Sequence, residues 1–270
     1  MSVAATVRNL VCNGLRKLGA RKPRARDARG AFDYASAYEA LAQRLPREQA
    51  IGGGAESDWY EQGGWIELGV LQMEGLEAGH TLVDFGCGNG RLAVKVIPTL
   101  TGGSYIGIDI SDTMLRDAER LIRQAVPHPP CSVQWIRQDA PDFRLQPGSV
   151  DRMCAFSVFT HMEHEDTFRY LVNARQVIKP QGRLIFSCLP IRLPQAQRVF
   201  RQQASLDLHA RWRDVRNVVT TTELMEAIAR MAGWNPLRWY AADQRCIRLP
   251  STGEFTALGQ EVCVLEPAAS

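Results

Sequence analysis

Val83-Asp84-Phe85-Gly86-Cys87-Gly88-Asn89-Gly90-Arg91 joins a short apolar run, Thr81 to Phe85, to a helical stretch from Gly90 to Ile97. Glycines at 86, 88 and 90 between a strand and a helix leave no side chains at the carboxyl end of that strand. A ligand can then approach bare backbone and the start of the helix. A tight strand-to-helix connection can need glycine for geometry alone, so the turn gains meaning from its spacing. The pattern is D-x-G-x-G-x-G, not the G-x-G-x-x-G expected of a dinucleotide pyrophosphate site. An acid two residues before the first glycine suits a ligand carrying a cationic amine, whereas it would repel a pyrophosphate at short range.

Outward from this turn, strands and helices alternate. Tyr105 to Asp109 reads as a second strand, and Ser111 caps a helix with Met114, Leu115, Ala118, Leu121, Ile122 and Ala125 on one face. Pro127, Pro129 and Pro130 stop it. Ser132 to Arg137 alternates as a third strand, and Val150 to Ser157 is a fourth. Asp166 to Ile178 is helical, and Pro180-Gln181-Gly182 turns into a strand from Arg183 to Leu189. Thr222 to Met231 is a helix; Pro236 to Ala241 and Glu261 to Leu265 are the last strands. Apolar strands alternating with helices imply an α/β fold with a doubly covered, mostly parallel sheet.

The chain has 270 residues, 45% of them apolar and 23% charged, which fits one large globular domain with an appendage. No run approaches the roughly 20 apolar residues that cross a bilayer. Seven cysteines stand singly and in odd number, which points to free thiols in a reducing, cytoplasmic compartment rather than to a disulfide framework. The net charge of +3 divides unevenly. Residues 1–30 hold eight bases and one acid, +7; the other 240 hold 24 bases and 28 acids, −4. Nucleic-acid binding therefore does not follow from the overall charge. Within the tail Val3, Val7, Leu10, Val11, Leu15 and Leu18 form a helical stripe, opposed by bases. Peripheral contact of residues 1–20 with an anionic membrane, a targeting segment, a helix packed on its own domain, and a frayed terminus are the readings. Arg21 to Gly30 reads as a linker.

The glycine turn and the elements after it resemble the class I S-adenosylmethionine-dependent methyltransferases of small molecules, over about residues 50–190. The resemblance implies a doubly wound, Rossmann-like sheet of seven strands in the order 3-2-1-4-5-7-6, with S-adenosylmethionine as cofactor. It implies an N-terminal helical cap (31–79), a cofactor-binding core (80–190), a substrate-side insertion (191–221) and a closing helix and strands (222–270). In that family the glycine loop, here Gly86, Cys87, Gly88, Gly90 and Arg91, approaches the methionine part of the cofactor, with Asp84 beneath its amine. Asp109 stands where an acid takes both ribose hydroxyls, and Ile110 and Met114 follow it. Gln138-Asp139-Ala140 occupies the place of the adenine contact, assigned to Asp139 and Ala140. Ser157 to Met162 resembles the Ser-x-x-x-His-Met segment of similar enzymes; Ser157 falls among the cofactor contacts and His161 is the candidate base. Gln181 stands where glycine is usual.

Each assignment has a plainer counterpart: Asp109 as a helix cap, Asp139 as a turn residue, Arg91 on a helix surface, His161 bonded to its own loop. His161-x-x-His164 is a poor metal pair, since no further matching ligands accompany it, and no metal is expected. Ile51 to Gly54 and Ser57 to Trp65 read either as a flexible lid or as a helical cap. The arginines at 192, 198, 201, 211, 213 and 216 suggest an acidic acceptor or a solvated helix face. The expected activity is methyl transfer to a small-molecule or glycan-type acceptor, preferably at oxygen. The competing readings are an RNA or protein methyltransferase docking through the tail, a nicotinamide-dependent oxidoreductase, and a non-catalytic cofactor-binding relative.

Overall fold

A computed structural model describes residues 33–45, 50, 57–207, 211 and 215–269, the side chains of 57–59 excepted. The tail stripe, the linker, Ile51 to Gly54 and Arg213 lie outside the described residues. In chain order the elements are α1 (Tyr34–Arg44), α2 (Ser57–Met73), β1 (Thr81–Phe85), α3 (Ala93–Val96), β2 (Ser104–Asp109) and α4 (Asp112–Ala125). There follow β3 (Ser132–Arg137), β4 (Val150–Ala155), α5 (His164–Val177), β5 (Ile178–Cys188) and α6 (Pro194–Ala204). The last are α7 (Thr222–Met231), β6 (Trp234–Tyr240), a small hairpin β7 (Ile247–Arg248) and β8 (Phe255–Thr256), and β9 (Glu261–Pro267).

Seven strands form one sheet in the order β3-β2-β1-β4-β5-β9-β6. With the separate hairpin set aside, this is the 3-2-1-4-5-7-6 order implied by the sequence. β1 pairs in parallel with both β2 and β4, and β9 runs antiparallel between β5 and β6. β1 is buried along four of its five residues, so it carries apolar side chains to both faces. Val83 and Phe85 pack with α5 and α7, while Leu82 packs with α2, α3 and α4. Asp84 shares the Leu82 face. The chain winds outward from β1 through β2 to β3, then returns to place β4 on the other side of β1. The connections leaving β1 and β4 therefore diverge and open a crevice at the carboxyl edge.

Local differences from the sequence reading have physical causes. Residues 86–92 stay in a turn, and regular helix begins only at Ala93, because the three glycines hold left-handed φ of +76°, +53° and +91°. β4 stops at Ala155 because Ser157 also turns left-handed, at φ +60°. β5 begins at Ile178 rather than Arg183, with an irregular register opposite Val150 and Arg152. Gly182 lies at this irregularity, where a Cβ would come within 3.0 Å of the Val150 carbonyl. The segment Ser57 to Trp65 belongs to the regular helix α2, whereas the Gly-rich stretch Ile51 to Gly54 lies outside the described residues.

Candidate active site

The glycine turn is fastened to β2 from below. Gly86 and Cys87 donate their N–H groups to the Ile108 carbonyl at 2.7 and 3.1 Å. Gly88 donates its N–H to Asp109 Oδ2 at 2.9 Å, and Ser111 donates its N–H to Asp109 Oδ1 at 2.9 Å. Asp109 thus braces the loop and the start of α4 with one carboxylate, while its side chain also faces the crevice. Burial pushes its carboxyl above the ordinary range, with the N–H groups of Ser111 and Gly88 pulling against that. Gly86 must lack a side chain for a tertiary reason as well, because a Cβ there would sit 2.4 Å from Val158 Cγ2.

Asp84 lies buried under the turn. Tyr105 donates its hydroxyl to Oδ2 at 2.7 Å, and the Cys154 thiol lies 3.5 Å from Oδ1. Its carboxyl is raised to about 7, first by burial and further by the nearby Glu67, against the pull of the Tyr105 bond. Arg91 is not a surface residue. It turns back onto Glu67 of α2, with Nε 3.3 Å from Oε2 and Nη2 paired to Oε1. α2 reaches this turn through glycines: a Cβ on Gly64 would come within 2.6 Å of the Arg91 carbonyl.

One cavity of about 750 Å³ runs along this edge of the sheet. Asp84, Gly86, Cys87, Gly88, Arg91, Asp109, Ile110, Met114, Asp139, Ser157 and His161 all line it. Two expected contacts do not lie on the described wall. Gly90 packs behind the turn, where a Cβ would meet Ala118 Cα at 3.2 Å. Ala140 lines a separate shallow hollow with Pro141, Phe168 and Val172. Its neighbour Gln138 takes that place, with a buried side-chain Nε2 that has no partner among the described residues. An orphaned amide donor on a cavity wall calls for an acceptor from a ligand. Asp139 is half exposed and sits 3.3 Å from Arg137.

At the other end, Phe159–His161 forms a short 3-10 turn after β4. His161 Nδ1 lies 3.0 Å from the Arg216 carbonyl, which can only accept. Nδ1 therefore carries the proton, and Nε2 keeps its lone pair. Burial lowers the imidazole pKa, the Arg216 carbonyl opposing it, so the neutral form is favoured. His164 goes elsewhere, with Nε2 3.1 Å from Thr220 Oγ1. Tyr38 meets His161 edge-on, their ring centroids 6.1 Å apart. Tyr34 and Tyr38 of α1 line the cavity from above. Glu39 docks that helix by accepting from Ser111 Oγ at 2.6 Å and from the Thr113 N–H at 3.2 Å. No sequence signal marked these tyrosines, since a polar helix far upstream of the glycine turn carries no motif. The described arginines of the insertion do not lie on this wall. Arg192 pairs with Glu261, and Arg216 with Glu163 at 3.1 Å.

Residues 82–182 match the family described as a methyltransferase domain. Over these residues the chain is similar to a methyltransferase domain, and its sheet order is that of the class I, S-adenosylmethionine-dependent methyltransferase fold. The match covers the glycine turn, Asp109 and Ser157 to Met162, and it displaces the oxidoreductase reading. The chain is 30% identical over 126 residues to the O-methyltransferase resE of Aspergillus sclerotiorum, 46% of each chain. It is 26% identical over 131 residues to the 2-phytyl-1,4-naphtoquinone methyltransferase of Trichormus variabilis, 47% of this chain and 55% of that one. The chain spans about half the length of these curated relatives. Among solved structures, the magnesium protoporphyrin IX methyltransferase of Synechocystis with bound S-adenosylmethionine superposes with a TM-score of 0.60 at 15% identity, over 88% of this chain and 99% of that one. The CcbJ methyltransferase of Streptomyces caelestis gives 0.57 at 16%, over 88% and 98%. At such identities these structures establish the shared fold.

Proposed function

We propose that the chain methylates a hydroxyl group on a small acceptor with a largely apolar body. The observation that carries this reading is the shared cavity: the braced glycine turn with Asp109 and the lone-pair nitrogen of His161 line one space. The donor set suits the cofactor. A carboxylate has about four lone-pair positions; the N–H groups of Ser111, Gly88 and Ile110 bear on some of those on Asp109, and what is left is open to a diol hydroxyl on the cavity side. Gln138 Nε2 offers its unused N–H to a purine nitrogen, Asp139 stands beside it, and Ile110 and Met114 supply apolar contact for the base. The bare backbone at 86–88, with Asp84 below and Arg91 at the wall, receives the amino-acid end.

S-adenosylmethionine, when bound, supplies an electrophilic methyl group on a sulfonium. The chain must then align the acceptor oxygen, take its proton and keep water out. His161 Nε2 is placed to accept that proton, and burial favours the neutral imidazole that this role requires. Tyr38, Leu41, Phe156, Met162, Leu189 and Leu258 line the remaining wall, which suits an apolar acceptor better than a glycan-type one.

The test has two halves. Calorimetry should show S-adenosylmethionine binding the full chain, and Asp109→Ala should weaken it by roughly 1.5–3 kcal/mol, the scale of charge-assisted hydrogen bonds. An unchanged Kd would refute the Asp109 assignment. With labelled methyl and a panel of phenols, alcohols and amines, hydroxyl acceptors should be labelled. Their kcat/KM should fall along an acid limb whose midpoint lies below the free-imidazole value of about 6.5, because burial lowers the His161 pKa, and His161→Gln should abolish that limb. Labelling confined to amines would overturn oxygen transfer.

A further inference from the structure

Among the described residues, Ser157 is the only non-glycine with positive φ, at +60°. Such a conformation costs of order 1–3 kcal/mol and persists only where the surroundings hold it. Here the surroundings are specific. The Ser157 N–H donates to Ser187 Oγ at 2.7 Å, and Ser187 Oγ donates in turn to Gln260 Oε1 at 2.7 Å. Gln260 Nε2 closes the ring by donating to Ser157 Oγ at 3.0 Å. Three chain segments meet in this ring: the end of β4, β5, and the loop entering β9.

That loop is held on both sides of Gln260. Gln195 of α6 donates Nε2 to the Gly259 carbonyl at 2.9 Å. Glu261, nearly fully buried, pairs with Arg192 and accepts the Ala242 N–H at 3.1 Å. A side chain fixed this way is preorganised for recognition. Ser187 is buried behind the ring, whereas Ser157 and Gln260 both line the cavity. An amide carries two N–H groups, and one on Gln260 is used by Ser157. The Ser157 hydroxyl reaches only back to Gln260 Oε1, at 3.2 Å, an oxygen already served by the shorter Ser187 bond. The second Gln260 N–H therefore stands ready for an incoming oxygen, and the Ser157 hydroxyl can turn to it from Gln260 Oε1, which keeps its bond from Ser187. The nearby wall is apolar: Phe156, Val158, Leu189 and Leu258.

We infer that Gln260 and Ser157 determine acceptor specificity by recognising a second, hydrogen-bond-accepting oxygen on an otherwise apolar molecule whose first oxygen, a hydroxyl, faces His161. The acceptor class is thus an apolar molecule bearing a hydroxyl and, apart from it, a carbonyl or comparable oxygen. This rests on the methyl-transfer reading of the same cavity. His161 Nε2 only accepts, and the Ser157–Gln260 pair mainly donates, so the two ends of the acceptor are told apart. A molecule lacking the second oxygen would bury the pair unsatisfied, which is how polar sites reject apolar analogues.

The experiment compares 6-acetyl-2-naphthol with 6-ethyl-2-naphthol, equal in size and differing in the carbonyl. Fluorescence titration is run on the full chain saturated with S-adenosylhomocysteine. The wild type should bind the acetyl compound at least about tenfold more tightly, as expected for a hydrogen bond plus the desolvation it offsets. Gln260→Leu should erase most of that preference, weakening the acetyl compound and strengthening the ethyl one, and leave S-adenosylhomocysteine within about twofold of wild type. Ser157→Gly is the second variant: glycine accepts this φ without strain, so folding is preserved while the hydroxyl is lost. A purely structural Ser157 would leave the preference intact; the inference requires it to drop. Equal binding of the two naphthols to wild type, binding of neither, or a preference surviving in both variants overturns the inference. Failure of S-adenosylhomocysteine itself to bind overturns instead the methyl-transfer reading beneath it.

Discussion

Asp84 shows how a single buried carboxyl ties cofactor geometry to stability. It stands one residue before the end of β1 with its side chain in the interior, bonded by Tyr105 at 2.7 Å. Burial, the largest cause, and then Glu67 raise its carboxyl from the ordinary 3.8 to about 7, although Tyr105 pulls it down. Between those two values the folded chain keeps a proton that the unfolded chain has released. The associated stability is therefore fully present below pH about 4 and is lost as pH rises through about 7, an interval worth roughly 4 kcal/mol. Urea unfolding of the cofactor-free protein should show wild type losing stability relative to Asp84→Asn as pH goes from 4 to 8. A difference that stays flat across that range would mean the carboxyl is ionised throughout. The sequence supplied the position of Asp84, from its place two residues before Gly86. It could not supply the titration, because Tyr105, Glu67 and Cys154 come from three other elements.

At the scale of elements, α2 explains why glycines sit inside a helix. Each costs about 1 kcal/mol relative to alanine in a helix interior. The return is close approach: a Cβ on Gly64 would lie 2.6 Å from the Arg91 carbonyl, and one on Gly69 would lie 2.4 Å from the Arg248 carbonyl. One face of α2 is thus pressed onto the glycine turn and onto the β7–β8 hairpin. Gly64→Ala gains helix propensity but forces the backbone of Arg91 to move, and overpacking of this kind typically costs 1–3 kcal/mol. The expected result is a lower Tm with weaker S-adenosylmethionine binding, read by thermal denaturation with and without cofactor. A raised Tm would mean the turn yields freely. In the sequence, Gly63-Gly64 was compatible with a flexible lid, since glycine signals mobility and close packing alike. Only the partner across the gap distinguishes them.

For the whole molecule, the winding order matters most. Placing β4 beside β1 brings Ser157 and His161 to the same edge as Gly86 and Asp109, so cofactor and acceptor can share one cavity. Apart from this cavity the chain carries a +7 charge in residues 1–30, which lie outside the described residues. We propose that the two are functionally separate. Deleting residues 1–30 should leave S-adenosylmethionine affinity within about twofold while abolishing salt-sensitive binding to phosphatidylglycerol vesicles, as expected for a basic amphipathic segment. Vesicle binding that persists after deletion would refute the membrane role. RNA binding lost on deletion would instead favour docking to nucleic acid.

The sequence by itself determined the α/β alternation, the glycine turn and the identity of the acids at 84 and 109. These are set by short-range sterics and by hydrophobic period, which contiguous residues encode. The tertiary structure decided that Arg91 turns inward to Glu67, that Gln138 rather than Ala140 faces the cavity, and that Gly90 packs behind the turn. It also decided that Tyr38 and Gln260, more than two hundred residues apart, line one space. Such meetings depend on how crossovers and loops return to the sheet edge. No local pattern in the chain carries that information.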